Sequence, residues 1–335
     1  MNEPASAPTA PSLLSEALAA AAGFVLWQLS PSVPDLPGPD LSGPTRLAGL
    51  LPASFSLVEF LGIAFPLIWY VRGLLLTPPA RQPHWLRRTA FLAGIAVIYG
   101  VALTGFADEA RHMFLLNRIQ QACMHHLGPF LIALAWPAET LARGAPALIT
   151  RLARLRPVTL LLRVLLNPIV AAVMFVGLIW LWLQPDLQAR MMMSPALYTV
   201  MNASMVLDGL IFWFLVLDPR PSPPAYHSYV VRCITTIAVL FPQLIMGARL
   251  TFTTAALYPW YDQVGRLLPS VPALLDQHLG GIVVWLPSSL MSSIAFLLIM
   301  NNVRLNEDRQ TGGKTKDDIE IAPGIRMSST SWTGR

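Results

Sequence analysis

Residues Asn117 to Pro137 read NRIQQACMHHLGPFLIALAWP, and the interpretation of the whole chain starts from this stretch. It is long and apolar enough to cross a bilayer, whose hydrocarbon core is about 30 Å thick. It nevertheless carries polar or reactive side chains at Gln120, Gln121, Cys123, His125 and His126. Such groups are costly inside a span and usually face a protein interior. We therefore expect other helices to pack around this stretch.

The spacing of these side chains indicates how they are arranged on a helix. Asn117, Gln121 and His125 recur every four residues, which places them on one helical face. Adjacent helical residues differ by about 100°, so His125 and His126 are not expected to share one face fully. The sequence thus predicts a polar face in the middle of an apolar helix.

Composition identifies the class of protein. Charged residues are 12% of the chain and hydrophobic residues 54%, whereas soluble domains average about 25% charged residues. These values indicate a polytopic membrane protein, so the net charge of +5 is not read as a nucleic-acid signal. The two cysteines, Cys123 and Cys233, lie in or next to apolar stretches and form neither a disulfide framework nor a CxxC motif.

The hydropathy pattern predicts an all-α transmembrane bundle with seven core spans over residues 51–303. The spans are expected near 53–76, 89–107, 117–138, 160–183, 195–217, 229–252 and 276–301. Residues 1–50 form a separate N-terminal outer-side segment, in which Ser12 to Leu29 is either a surface helix or an eighth span. Residues 304–335 are polar and rich in glycine, serine and lysine, which predicts a disordered cytoplasmic tail.

The basic residues predict the orientation. With seven spans, 17 of the 23 lysines and arginines fall in the links and tail on one side, and 6 fall on the other. Because such residues mark the cytoplasmic side, the N-terminus is expected outside and the C-terminus in the cytoplasm. We expect a multi-pass protein of a bacterial inner membrane, with the bilayer as its first partner and no nucleic-acid partner.

Several candidate ligands fall toward the predicted outer side. Imidazole suits copper, and thiolate and thioether select the cuprous ion. The proposed metal ligands are His125, His126 and His278, with Cys123 or a methionine such as Met205 as the soft contributor. Each also has a structural interpretation, because a buried imidazole can satisfy hydrogen bonds between helices and a methionine can fill the core.

Asp208 is a further candidate, because it lies near the middle of the predicted fifth span. A carboxylate at that depth needs a partner or a proton. It is therefore either a structural hydrogen-bonding group or part of a proton or metal site. The chain contains no GxSxG, P-loop or HExxH motif, and we do not expect an enzyme.

Over residues 51–303 the chain resembles the CtaG family of membrane proteins. The resemblance lies in an ordered set of segments, from Trp69–Gly73 and Ala90–Gly94 to Leu257–Tyr261 and Asp276–Pro287. It implies a role in assembling haem–copper cytochrome c oxidase, with copper as the ligand and oxidase subunits as partners. It also implies a role for the region of Asp276 and Gln277.

The chain departs from the family pattern at two helix-face pairs. Where many members are expected to carry His-x-x-x-His, this chain has Asn117 and Gln121 in the third span and Tyr198 and Asn202 in the fifth. His125 and His126 lie about one turn deeper and either replace that site or mark a branch without metal. Two other functions stay open: a proton-coupled transporter or permease based on Asp208, and a metal-free interaction scaffold for oxidase subunits.

Overall fold

The computed structural model describes residues 56–312, 318–322 and 325–328, with side chains described from residue 56 to residue 307. Within residues 56–307 the regular structure is helical. In chain order the α-helices are α1 (Leu57–Leu75), α2 (Trp85–Ala102), α3 (Phe106–Glu109), α4 (Phe114–Ala122), α5 (Gly128–Ala135), α6 (Ala138–Gly144), α7 (Ala147–Ala153), α8 (Arg156–Leu165), α9 (Pro168–Trp182), α10 (Pro185–Met193), α11 (Pro195–Val216), α12 (Tyr229–Phe252), α13 (Trp260–Gln263) and α14 (Ala273–Gly312).

Four shorter elements complete the description. A 3₁₀ turn, Pro79–Arg81, lies between α1 and α2, and a π-helical segment, Cys123–Leu127, joins α4 to α5. Two antiparallel strands, β1 (Asp318–Ala322) and β2 (Ile325–Ser328), form a hairpin in the tail.

The structure supports a multi-pass membrane protein. Of the described helices, α1, α2, α11, α12 and α14 are each long and apolar enough to cross a membrane. Counting α8 and α9 together as one broken span would make six. The predicted third span corresponds to α4, the π-helical segment and α5, each of which is too short to span alone. The count of seven stays a prediction.

The helix predicted over 160–183 is not continuous. α8 ends at Leu165, α9 begins at Pro168, and the two axes are bent by 71°. The Oδ1 atom of Asn167 accepts hydrogen bonds from the backbone N–H groups of Ile169 and Val170, at 3.0 and 3.3 Å. An asparagine cap followed by proline at the first helical position starts a new helix here.

Small residues allow the helices to approach closely. A Cβ atom added to Gly144 would lie 1.7 Å from the carbonyl oxygen of Trp69, so α6 packs directly on α1. A Cβ atom added to Gly247 would lie 2.5 Å from Cδ1 of Trp285, where α12 crosses α14. Such contacts are typical of helix packing in membranes, where lipid supplies no hydrophobic driving force between helices.

Hydrogen bonds join the loops at each end of the bundle. At one end, Nδ1 of His112 lies 2.9 Å from the carbonyl oxygen of Gly265, and the Tyr258 hydroxyl donates to the carbonyl of Leu183 at 2.8 Å. Burial raises the pKa of Tyr258 to about 12, so this hydroxyl stays a donor at neutral pH. These three loops are the ones predicted to lie outside.

The opposite end carries the predicted cytoplasmic links. Arg72 donates to the carbonyl of Gly144 at 3.0 Å, and Nε2 of His227 lies 2.9 Å from the carbonyl oxygen of Leu166. The buried guanidinium of Arg232 donates to three backbone carbonyls. These contacts join links that the sequence places together in the cytoplasm, and the membrane side of each set of links stays a prediction.

The chain ends are described only in part. In the tail predicted as residues 304–335, α14 continues to Gly312, and Ile319 of β1 pairs with Met327 of β2. The rest of the tail lies outside the described residues. So does the N-terminal segment 1–50, with its predicted surface helix or eighth span.

Candidate functional site

A π-helical turn organises the centre of the stretch that carries the two histidines. The N–H of Gly128 donates to the carbonyl of Cys123, five residues earlier. Pro129 follows at once, and in a regular α-helix its ring would collide with the carbonyl of His125, to which it also has no N–H to donate. The wider turn accommodates this proline, and such single turns often occur at functional sites.

The π turn brings the two imidazoles together. The Nδ1 atoms of His125 and His126 are 3.1 Å apart, and the ring centroids are 4.8 Å apart. Both side chains are buried. The two rings meet through their Nδ1 atoms, whereas their Nε2 atoms contact different helices, so the two histidines do not share one face fully.

The opposite ring nitrogens are held by three other helices. Nε2 of His125 lies 3.0 Å from Oδ2 of Asp208 on α11. Nε2 of His126 lies 3.1 Å from Oε1 of Gln243 on α12 and 2.7 Å from Oγ of Ser288 on α14. Each imidazole thus has its Nε2 fixed by a neighbour and its Nδ1 directed toward the other ring.

Aromatic side chains and one glycine complete the packing. The ring of Phe175 stacks on that of His125 with centroids 4.1 Å apart, and Trp213 packs edge-on to Phe175. A Cβ atom added to Gly209 would lie 2.3 Å from the carbonyl oxygen of His125. Gly209 therefore allows α11 to approach the π turn closely enough for Asp208 to reach His125.

A cavity of about 20 Å³ lies beside the imidazoles. This volume is enough for one water molecule. The Oε1 atom of Gln121 and the Oδ1 atom of Asp208 are buried acceptors with no hydrogen-bond partner among the described residues. The residues that line the cavity include Arg118, Gln121, His125, His126, Met205 and Ser288.

A second polar group lies closer to the predicted outer end. Asn202 donates to Oε1 of Glu59 at 2.9 Å and accepts from Nε2 of Gln121 at 3.2 Å. The hydroxyl of Tyr198 donates to Gln120. Gln121 and Asn202, two of the positions at which the resemblance led us to expect histidine, thus link α1, α4 and α11 through their amides.

The side chains of Asp276 and Gln277 form hydrogen bonds with backbone groups of neighbouring segments. The carboxylate of Asp276 accepts from the N–H groups of Phe114 and Leu115 at 2.9 and 2.8 Å, and from Arg266 at 2.7 Å. The side chain of Gln277 accepts from the N–H of Leu257 at 2.7 Å and donates to the carbonyl of Ala255 at 3.1 Å. Together they fix the start of α4 and the loop before α13.

The remaining predicted ligands do not form one cluster. Nε2 of His278 lies 2.8 Å from the carbonyl oxygen of Thr253. Cys123 is partly buried on the π turn, and Met205 packs in a core of methionines and aromatic rings. In the part of the chain that the structure describes, no three His, Cys, Asp or Glu side chains are grouped to hold a metal ion.

Three residues that contribute to the two polar groups were not predicted from the sequence. Ser288 gave no signal, because it is one of four serines between residues 288 and 293, and small hydroxyl residues are common in membrane helices. Phe175 looked like ordinary core. Glu59, however, is an acidic residue within α1, and an ionisable residue in a span is by itself a reason to look for a polar site.

The chain was compared with known proteins and protein families. No curated protein and no solved structure matches it. A family model described as cytochrome c oxidase caa3 assembly factor (Caa3_CtaG) matches residues 68–304, which is more than half of the chain and covers both polar groups except Glu59. The chain therefore belongs to the cytochrome c oxidase caa3 assembly factor family.

Proposed function

We propose that this protein is a non-catalytic assembly factor of the bacterial inner membrane, and that it handles copper for a haem–copper oxidase through His125 and His126. In this proposal a cuprous ion is cargo, held by the two Nδ1 atoms within the bundle and exchanged toward the periplasmic side. The single observation that supports it most is the pair of Nδ1 atoms facing each other at 3.1 Å.

The hydrogen bonds around His126 determine which of its nitrogens carries a proton. The hydroxyl of Ser288 donates to the carbonyl of Val284 at 2.8 Å, so its oxygen acts as an acceptor toward Nε2 of His126. Oε1 of Gln243 is an acceptor as well. The proton of a neutral His126 therefore lies on Nε2, and its Nδ1 presents a lone pair.

The same reasoning applies to His125 when Asp208 is ionised. The carboxylate then accepts the Nε2 proton of His125, and Nδ1 of His125 also presents a lone pair. Two lone pairs facing each other repel unless a cation or a proton lies between them. A carboxylate that orients a metal-binding imidazole from its other nitrogen is a common second layer of metal sites.

The available donors favour copper in its cuprous form. Imidazole suits copper, thioether selects the cuprous ion, and Met205 lines the same cavity as both histidines. His278 is left out of this ligand pair, because its Nε2 lies beside the carbonyl of Thr253. The periplasmic direction follows from the uneven distribution of lysine and arginine.

The copper proposal is tested by metal analysis of the purified full chain under anaerobic, reducing conditions. The His125→Ala/His126→Ala variant is expected to lose the bound copper. The His278→Gln variant serves as the matched control and is expected to retain it. Equal copper in the double variant and the parent would overturn the proposed site.

A second measurement separates copper handling from scaffolding. A strain that depends on this chain is complemented with the double variant, and the oxidase is isolated and analysed for copper. A copper-depleted oxidase supports the proposal. A fully metallated oxidase, together with co-purification of its subunits with the variant, would instead favour the metal-free scaffold.

A proton-coupled transporter is the second candidate, and the contact between Asp208 and His125 favours it. If Asp208 is protonated, it donates to Nε2 of His125, whose Nδ1 then donates to Nδ1 of His126, and no metal is needed. Proteoliposomes with an internal pH dye test this candidate. Proton flux that disappears in the Asp208→Asn variant would support transport, and absence of flux in the parent chain would exclude it.

A further inference from the structure

The helices α7 and α8, with the residues between them, form an exposed surface arm. Neither helix contains a buried residue, and every side chain from Arg151 to Pro157 is exposed. Large apolar side chains are among the exposed ones, including Leu148 at 64%, Leu160 at 63% and Leu161 at 57% exposure. A soluble protein rarely leaves so many leucines uncovered on one short segment.

The polar and apolar residues of α8 lie on different sides of the helix. At 100° per residue, Arg156, Thr159 and Arg163 fall within about 60° of one another on α8. The leucines and valines cover the rest of its circumference. On α7 the same spacing places Leu148 and Leu152 about 40° apart and roughly opposite Thr150, with Arg151 about 60° from Leu148. Helices of this kind lie in the interface of a bilayer.

The bend between α8 and α9 gives the arm the orientation that this requires. α9 is uniformly apolar, and α8 leaves its axis at 71°. If α9 runs roughly along the bilayer normal, α8 lies close to the membrane plane. The position of Leu166 next to His227 places the arm at the end of the bundle that carries the arginine-rich links.

The charge of the arm is of one sign. It carries Arg151, Arg154, Arg156 and Arg163, and the sequence has no Asp or Glu from residue 140 to residue 185. Within residues 56–307 none of these four arginines forms an ion pair with a carboxylate. Their guanidinium groups are therefore free to bind anions from outside the chain, and guanidinium matches phosphate geometry well.

We propose that this arm lies in the headgroup layer of the membrane and binds anionic phospholipids. The leucines enter the boundary between headgroups and acyl chains, and the arginines contact lipid phosphates. Phospholipid is the occupant that matches both observations, because the apolar side chains are spread along two helices and the charge is uniformly positive. Attraction to an anionic surface contributes about fivefold in affinity per arginine near it.

The proposal is tested with the full chain in nanodiscs. Cys123 and Cys233 are replaced by serine, Leu161→Cys is introduced, and the new thiol carries an environment-sensitive dye. Phosphatidylglycerol is titrated into phosphatidylcholine discs. We expect the dye emission to shift to the blue and its quenching by iodide to fall as the anionic fraction rises.

Two matched double variants then test the arginines. Arg156→Gln/Arg163→Gln is expected to raise the anionic fraction needed for half-maximal shielding severalfold. Arg81→Gln/Arg87→Gln, which removes one exposed arginine from the α1–α2 link and one from the first turn of α2, is expected to leave it unchanged. A dye that stays open to iodide at every composition would overturn the proposal. Equal midpoints for the two variants would also overturn it, as would shielding that appears only when an oxidase subunit is added.

Discussion

At the scale of single residues, Asp276 holds separate parts of the chain together. Its side chain is fully buried and accepts from two backbone N–H groups at the start of α4 and from Arg266. Met113, which precedes α4, cannot cap that helix itself. A carboxylate from α14 therefore supplies the N-terminal cap, and it also complements the positive end of the helix dipole.

The Asp276→Ala variant is expected to be strongly destabilised. It leaves two backbone donors without a partner and Arg266 without its buried carboxylate, which costs about 3–5 kcal/mol. Thermal unfolding in detergent measures the change. Asp262 bonds to the same arginine but is exposed, so Asp262→Asn is the control and should cost no more than about 1 kcal/mol. Similar melting temperatures for the two variants would contradict this role.

The site residues show what the sequence could and could not predict. That Asp208 needs a partner follows from the cost of a carboxylate in a span, but the sequence gives no means of choosing His125 as that partner. His278 was grouped with the other histidines by its estimated depth alone. Depth along a helix is readable from residue numbers, whereas the direction of a side chain depends on helix rotation, which packing determines.

At the scale of elements, the π turn and α11 form one unit. Gly209 lies against the carbonyl of His125, and Asp208 beside it reaches the ring of the same residue. The position of the imidazole pair therefore depends on how closely α11 packs. The addition of one methyl group at this crossing should displace the histidines.

The Gly209→Ala variant tests this dependence. Its Cβ atom must displace backbone, so a loss of about 1–3 kcal/mol is expected, together with reduced copper binding if the proposed site is correct. Gly177 of α9 has no atom within 4 Å of an added Cβ. Gly177→Ala should therefore be neutral or stabilising by up to about 1 kcal/mol. Unfolding midpoints of both variants, compared with the parent, provide the measurement.

The elements themselves were predictable to different degrees. α1, α11 and α12 begin and end within four residues of the predicted spans, because hydropathy alone marks them. α2 lies four to five residues earlier than predicted, and α14 continues to Gly312, beyond the predicted end at residue 301. The break at Leu166 was missed, since the leucines of α8 continue the apolar character of α9 and merge with it in a hydropathy window. Asn167 followed by Pro168 is the pattern that predicts a new helix at this point, because it combines an N-cap with a proline in the first turn.

At the scale of the whole molecule, the loops fall into two groups with different chemistry. At one end, the Tyr258 hydroxyl donates to a backbone carbonyl and Asp276 caps α4. At the other end, Arg72 and Arg232 donate to backbone carbonyls. Copper exchange at the periplasm requires that the first end faces outward, and lipid binding by α7 and α8 requires only that the second end lies at a membrane surface. Orientation therefore bears on the first proposal more than on the second.

Cysteine labelling in intact cells tests the orientation. Ser270, in the link before α14, and Ala80, in the link after α1, are both exposed. In a chain with Cys123 and Cys233 replaced by serine, a membrane-impermeant maleimide should label Ser270→Cys and leave Ala80→Cys unlabelled until the membrane is opened. The reason is the excess of arginine on the side of Ala80, which retains that link in the cytoplasm. Labelling of Ala80→Cys alone would invert the bundle and make the periplasmic route for copper untenable, whereas the hydrogen bonds around His125 and His126 would be unaffected.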